Sequence, residues 1–287
     1  MKVSFIVVNF NYADYLETCI DSILKILLPD DELIVIDDRS TDNSWNIVQN
    51  YRNQAILLRN EVNSGMLASS VYALQASTNE VVMFVDSDDF LLESFSLFRE
   101  KMLRHYDKWQ GLNQGANYTY SKSKSANRRY YRTGDYIGPP TSGCLYRKSK
   151  IMDVLSYCLE EQNKGEDDGY FSRFSTDGIL RPYAGMMLPI QSIRVEIFHY
   201  RDHELNNGRS ISPWRDEKKV MRQVSTLNVI SRFNQKIGVR VHPRVRLKLL
   251  RVVIHHGLYK RFNEEIRGQI PFLRVILARM RNIMRLG

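Results

Sequence analysis

What the 287-residue chain lacks narrows its class first. Its three cysteines, Cys19, Cys144 and Cys158, are odd in number and have neither CxxC nor CxxH spacing. That argues against a disulfide framework or a cysteine zinc site and predicts buried thiols in a reducing compartment. No stretch approaches the roughly 18 apolar residues of a membrane-spanning helix. The opening run KVSFIVV resembles the apolar part of a signal peptide, but Asn9, Asn11 and Asp14 interrupt it after a few residues. These absences predict a cytoplasmic protein, or at most one attached to a membrane surface. Low-complexity tracts and internal repeats are missing, as is a GxxxxGK[ST] phosphate loop. Calcium-loop spacing fails twice: counted from Asp38 it puts Asn43 at the required glycine and Gln49 at the bidentate glutamate, and counted from Asp86 it puts Phe90 at a ligand position.

What is present is a folded composition, 43% hydrophobic and 25% charged with sixteen tyrosines. The length suits one large α/β domain with an extension, or two modest domains. The net charge of +9 is concentrated at the C-terminal end, where twelve lysines and arginines from Arg240 onward face only Glu264 and Glu265. Anionic lipid, nucleic acid or a neighbouring acidic surface would complement it. Within that tail, PFLRVILARMRNIMRL carries an apolar stripe (Leu273, Ile276, Leu277, Met280) opposite Arg274, Arg281 and Arg285. It reads either as an interfacial helix on an anionic membrane or as a helix docked on its own domain. Nucleic acid ranks third, because the segment has few aromatics among its charges and no binding motif. His255 and His256 are expected at the surface.

The first third alternates strand and helix. Apolar runs at 3–9, 33–37, 55–59 and 81–86 read as buried strands, and helical periodicity at 14–27, 42–51 and 66–76 separates them. Thr41 or Asp42 is expected to cap the second helix. Alternation predicts a mostly parallel sheet with helices on both faces, and ligands then bind beyond the carboxyl ends of its strands. Polar residues 113–131 read as short antiparallel strands and loops, 138–151 as a turn leading into a strand and a helix, and 186–201 as one or two strands. From Asp216 onward the pattern is mostly helical.

EVVMFVDSDDF, residues 80–90, poses the chemical question, because a hydrophobic strand ends in Asp86, Asp88 and Asp89. Crowded carboxylates repel one another and persist when a cation or a set of donors compensates them. Magnesium or manganese, with one or two carboxylate ligands and positions left for substrate phosphates, would fit. The alternative is a solvated cap, with Asp88 or Asp89 starting a helix over FLLESFSLFREKM.

Over roughly residues 2–212 the chain resembles the family 2 inverting glycosyltransferases of GT-A fold. The resemblance is carried in order by VSFIVVNFNYADYLETCIDSIL, ELIVIDDRSTDNS, NSG, ASSVYALQASTNEVVMFVDSDD, GEDDGYFSRFSTDG and YRDHELNNGRSIS. It implies a Rossmann-like three-layer α/β sandwich over 1–215, beyond which the helical pattern and the basic charge predict a helical extension over 216–287. It also implies a manganese- or magnesium-dependent transfer of sugar from a nucleotide-diphospho-sugar, with uridine as base, to a glycan or lipid-linked acceptor. Asp38 would accept from the base and Asp37 brace its turn, while Phe10 and Asn11 would line the base and ribose pocket. Gly65 belongs to the phosphate-side turn. Asp86 would touch ribose or metal-bound water, and Asp88 would ligate the metal with Asp89 in support. Asp167 would be the catalytic base and Glu166 a sugar contact. His203 would ligate metal or contact pyrophosphate, with Arg201 and Arg209 as competing phosphate partners, whereas His199 reads as packed. Arg39 stands where the family has glycine, and Ser69 where arginine is common. A sugar nucleotidyltransferase would share the sheet but should open with a glycine-rich basic loop, which VVNFNYADYL lacks. A non-catalytic sugar-nucleotide binder would need no base.

Overall fold

The computed structural model describes residues 1–104, 112–120, 127–128, 141–164, 175–187, 190–201, 203, 226, 229–230 and 232–238. The elements run β1 (Val3–Asn9), α1 (Ala13–Leu24), β2 (Glu32–Asp37), α2 (Ser44–Gln49), β3 (Ile56–Arg59), α3 (Met66–Ala76), β4 (Val81–Asp86) and β5 (Phe90–Leu91). They continue with α4 (Phe95–Leu103), β6 (Leu112–Tyr120), β7 (Asn127–Arg128), β8 (Cys144–Arg147), α5 (Lys148–Asn163), α6 (Thr176–Met187) and β9 (Ile190–Tyr200).

Among the described residues these strands form one sheet in the order β3-β2-β1-β4-β8-β6-β9-β5, with β7 beside β6. β3, β2, β1 and β4 are parallel, while β8 joins β4 antiparallel. The apolar runs are continuous because both sheet faces are covered. Ile6, Ile34, Ile36, Val82 and Phe84 face α3, α5 and α6. Val3, Phe5, Val7, Leu33, Val35, Val81, Met83 and Val85 face α1, α2 and α4. Strict alternation along each strand thus makes the three layers. Val229, Ile230 and Phe233, in the helical residues that follow β9, are buried in the α3–α5–α6 layer, and Arg232 pairs with Glu161 at 2.8 Å.

The first four strand predictions agree with the structure to within a residue, and α3 agrees at both ends. Three expectations change. α2 starts at Ser44 after Asn43, later than Thr41 or Asp42, and Asp42 accepts instead from the N–H groups of Ser44 and Ala13. α1 stops at Leu24, three residues short of the expected end. The helix expected directly after the acidic run starts only at Phe95 after Ser94, because Phe90–Leu91 forms a strand with Phe198 and His199. Asp88 and Asp89 are therefore not its caps, and the simple capping explanation of the acidic run fails.

Behind the sheet, Arg99 forks onto Asp31 at 3.0 and 2.7 Å, with side chains only 6% and 1% exposed. Asp31 also accepts from the N–H groups of Val3 and Leu28, so this pair ties α4 to the start of β1. Arg99→Met should strand the buried carboxylate and cost about 3–5 kcal/mol, measured by urea unfolding. A loss below about 1 kcal/mol would show that Asp31 reaches water or another donor.

Candidate active site

The chain runs outward from β1 to β2 and β3, then returns to place β4 on the other flank of β1. The order reverses between β1 and β4, where open α/β sheets leave a crevice at the carboxyl ends. Register sets Asn9 opposite Asp37 and Val8 opposite Asp86, so the ends of three strands reach one edge together.

At the β2 end, Asp37 is fully buried and accepts from Asn9 Nδ2 (3.2 Å) and the Ser40 N–H (3.1 Å), with Arg59 Nε at 3.3 Å. Asp38, 3% exposed, accepts from Asn60 Nδ2 (2.7 Å) and the Ser64 N–H (2.8 Å) on Oδ1, and from the Gly65 N–H (2.8 Å) on Oδ2. It thereby welds the Asn-Ser-Gly turn to the end of β2. Gly65 takes φ +86° ahead of α3, a conformation that favours glycine. Ser69, where arginine was the family expectation, is buried and accepts from Asn60.

The β1 end is tied to the same turn. Asn11 accepts the Thr41 N–H at 2.8 Å, and its own N–H reaches Ser40 Oγ at 3.0 Å. Its side chain is thus committed to the neighbouring turn, whereas Phe10, the first residue after β1, is 39% exposed. Arg39 keeps a left-handed φ of 62°. An L residue there costs on the order of 1–2 kcal/mol, against roughly 0.5–1 kcal/mol of extra unfolded-state entropy for glycine. Arg39→Gly should therefore stabilise the fold slightly, raising its melting temperature by a few degrees. A fall would mean that the arginine side chain itself holds the turn.

At the β4 end, the Asp86 N–H donates to Ser142 Oγ at 3.0 Å, and the Asp89 N–H closes a turn onto the Asp86 carbonyl at 2.9 Å. His203 Nε2 lies 3.1 Å from Asp88 Oδ2. The imidazole stacks on Tyr15 (4.2 Å, 24°) and meets Tyr12 edge-on (5.7 Å). Burial, then Asp88 and Asp86, pushes the Tyr12 hydroxyl up to about 12, so it stays protonated. Burial, with Asp86 and Asp88 beside it, holds the Asp89 carboxyl well above the usual carboxylate range. Arg201 donates to the Asp88 carbonyl from Nε and to the Tyr15 carbonyl from Nη2 (2.8 Å). His199 is stacked on Phe90 at 4.8 Å, as a packed residue should be. The structure thus gathers Phe10, Asn11, Asp37, Asp38, Gly65, Asp86, Asp88, Arg201 and His203 around the edge of the first strands. Glu166, Asp167 and Arg209 lie outside the described residues, as does the tail from 239 onward. Sequence reading missed Tyr12, Tyr15 and Ser142. The two tyrosines, three apart at a helix start, share a helix face, which is a readable signal. Ser142 carries none.

Among the described residues no three His, Cys, Asp or Glu side chains form a metal cage by themselves. The donor chemistry still suits manganese or magnesium: carboxylates and one imidazole, with remaining positions for substrate phosphates.

A mostly parallel sheet with acidic turns at its switch point defines a doubly wound α/β fold, and comparison places it. Residues 4–171 match the model of glycosyl transferase family 2, and the chain belongs to that family. It is 26% identical to an uncharacterized glycosyltransferase of Nostoc sp., over 97% of this chain and 89% of that protein. It is 38% identical to the poly(ribitol-phosphate) beta-N-acetylglucosaminyltransferase TarS of Staphylococcus aureus, over 58% of this chain but only 31% of TarS. A crystal structure of TarS residues 1–349 in complex with UDP superposes with TM-score 0.62 at 19% identity, covering 100% of this chain and 81% of that one. The mannosyltransferase PcManGT of Pyrobaculum calidifontis, in complex with GDP-Man and Mn2+, superposes at 0.51 and 14% identity, covering 96% and 78%. The fold is GT-A. No helix among the described residues is long and apolar enough to cross a membrane.

Proposed function

We propose that the protein transfers a sugar, with inversion, from a uridine-diphospho-sugar to a hydroxyl of a glycan or lipid-linked acceptor in surface polysaccharide synthesis. The observation that carries this reading is the meeting of Asp88 and His203 at the switch point, one strand away from the Asp38 turn. TarS, named for transfer of N-acetylglucosamine to poly(ribitol-phosphate), supports the substrate class, and its UDP and UDP-GlcNAc complexes support uridine.

Asp88, Asp86 and His203 would hold Mn2+ or Mg2+. When bound, the ion supplies charge neutralisation to the departing diphosphate. Phe10 offers a ring face to the base, and Asp37 and Asp38 hold the turns that shape its floor. Gly65 leaves backbone room at the phosphate side, where Arg201 and Arg209 were the candidate cations. Asp167 takes the acceptor proton as the hydroxyl attacks from the face opposite the leaving group, and Glu166 contacts the sugar. Residues 1–215 are the catalytic unit in this reading. Within the extension over 216–287, Val229, Ile230 and Phe233 pack against α5 and α6, and in this reading the basic end would lie at the cytoplasmic membrane surface. Removing residues 270–287 should release the chain from anionic liposomes, and undiminished co-sedimentation would instead favour docking on the domain.

The direct test is a panel of nucleotide sugars with Mn2+, read as nucleoside diphosphate release. One uridine donor should be hydrolysed slowly without acceptor. Release from a guanosine or thymidine donor alone would overturn the base assignment, and release from none, with or without polyol-phosphate or glycan acceptors, would overturn the activity.

A further inference from the structure

The turn that carries Asp86, Asp88 and Asp89 must hold three carboxylates against their mutual repulsion. The cation that ties it down comes from the end of β9, 112 residues beyond Asp89. Arg201 engages it through backbone and side chain together. Its own N–H donates to Asp89 Oδ1 (3.2 Å), its Nε to the Asp88 carbonyl, and its Nη2 to the carbonyls of Tyr15 (2.8 Å) and, at longer range, Asp89 (3.5 Å). The guanidinium lies over the rings of Tyr15 and Phe90, 4.9 and 5.7 Å from their centroids. Tyr15, so pinned at both its carbonyl and its ring, is the platform on which His203 stacks while reaching Asp88 Oδ2. One arginine thus joins the first turn of α1, the β4–β5 turn and the segment that carries His203.

We propose that Arg201 is a positioning residue for the Asp88–His203 pair rather than a contact to the donor diphosphate. It fixes the backbone of the Asp88 turn directly and the ring plane of His203 through Tyr15. The inference deepens the reading of Asp88 and His203 as the metal-side pair and rests on it. The physical reason is the shape of the guanidinium. A planar fork donates in its plane to carbonyls of two separate elements while its faces lie on two rings, and a lysine ammonium reproduces neither arrangement. Positive charge alone is therefore not what the site needs from residue 201.

That distinction sets the experiment, made on the full chain. Arg201→Lys and Arg201→Gln are compared with the parent by calorimetry with UDP, with and without Mn2+, and by paramagnetic resonance with Mn2+ alone. Partners that orient metal ligands typically govern about 10- to 100-fold in metal affinity. Both variants should lose Mn2+ affinity on that scale, lysine no better than glutamine, while metal-free UDP affinity stays within about twofold. Tyr15→Leu keeps the backbone carbonyl but removes the platform, and should weaken Mn2+ binding in the same sense. A lysine variant with parent-like Mn2+ affinity, or loss of metal-free UDP affinity in both Arg201 variants, would overturn the proposal in favour of a charge or phosphate contact. A parent that binds no UDP under any condition would sink the donor reading, and the Mn2+ arm would still decide the clamp: unchanged affinity in Arg201→Lys and Tyr15→Leu overturns it.

Discussion

Asp88→Asn is expected to lower sugar transfer about a thousandfold while leaving the protein folded. The amide has the shape of the carboxylate and can still hydrogen-bond His203, so packing around Tyr12 and Tyr15 should persist. What disappears is one negative charge and one hard ligand at the end of β4. Charge stabilisation worth several kcal/mol corresponds to about three orders of magnitude in rate. UDP binding in the presence of Mn2+ should weaken in parallel. Stability should move the other way. Asp89 is buried, and its carboxyl is held high first by burial and then by Asp86 and Asp88. An acid whose folded value is raised binds its proton more tightly when folded. Stability therefore falls as pH rises from the ordinary carboxylate value through the raised one. Removing the Asp88 charge relieves part of that cost, so the metal-free variant should melt at or above the parent temperature near neutral pH. Transfer within tenfold of the parent would remove Asp88 from the reaction.

The second large effect concerns Asp167. An acceptor hydroxyl is a poor nucleophile until its proton is taken as the glycosidic bond breaks, and a positioned base contributes about 10²–10⁴-fold. Asp167→Asn should lose transfer on that scale, with donor binding unchanged by calorimetry. Glu166→Gln should lose less, and partly in KM. The two aspartates are thus told apart by one measurement: Asp88→Asn loses the Mn2+-dependent part of donor binding, and Asp167→Asn does not. Full transfer by Asp167→Asn would move the base elsewhere while leaving the fold untouched.

The parts of the molecule that were legible in advance are those encoded locally. β1, β2 and β4 are buried on both faces, so each appears as an unbroken apolar run, and α3 combines a small-residue face with a glycine at its start. Their alternation was enough to bring Asp38 and Asp86 to one edge, because parallel strands joined by crossovers all end on the same side. β5 was not legible. Its two residues become a strand only by pairing with Phe198 and His199, more than a hundred positions away, and that long-range pairing delays α4 to Phe95.

Side-chain roles divide in the same way. The residue types at the acidic turns, and hence the hard-cation chemistry they suit, follow from order along the chain alone, as do the membership of motifs and the layered class of fold. Which groups these carboxylates meet was decided only by tertiary structure, which gave Asp37 and Asp38 backbone and side-chain donors and set Asp88 against His203. The same holds for Arg201, which follows β9 and donates to the carbonyls of Tyr15 in α1 and Asp88 in the β4–β5 turn. A chain specifies its own periodicity, but an acceptor or donor is assigned by whatever distant group arrives within hydrogen-bond reach, and only the folded molecule determines that.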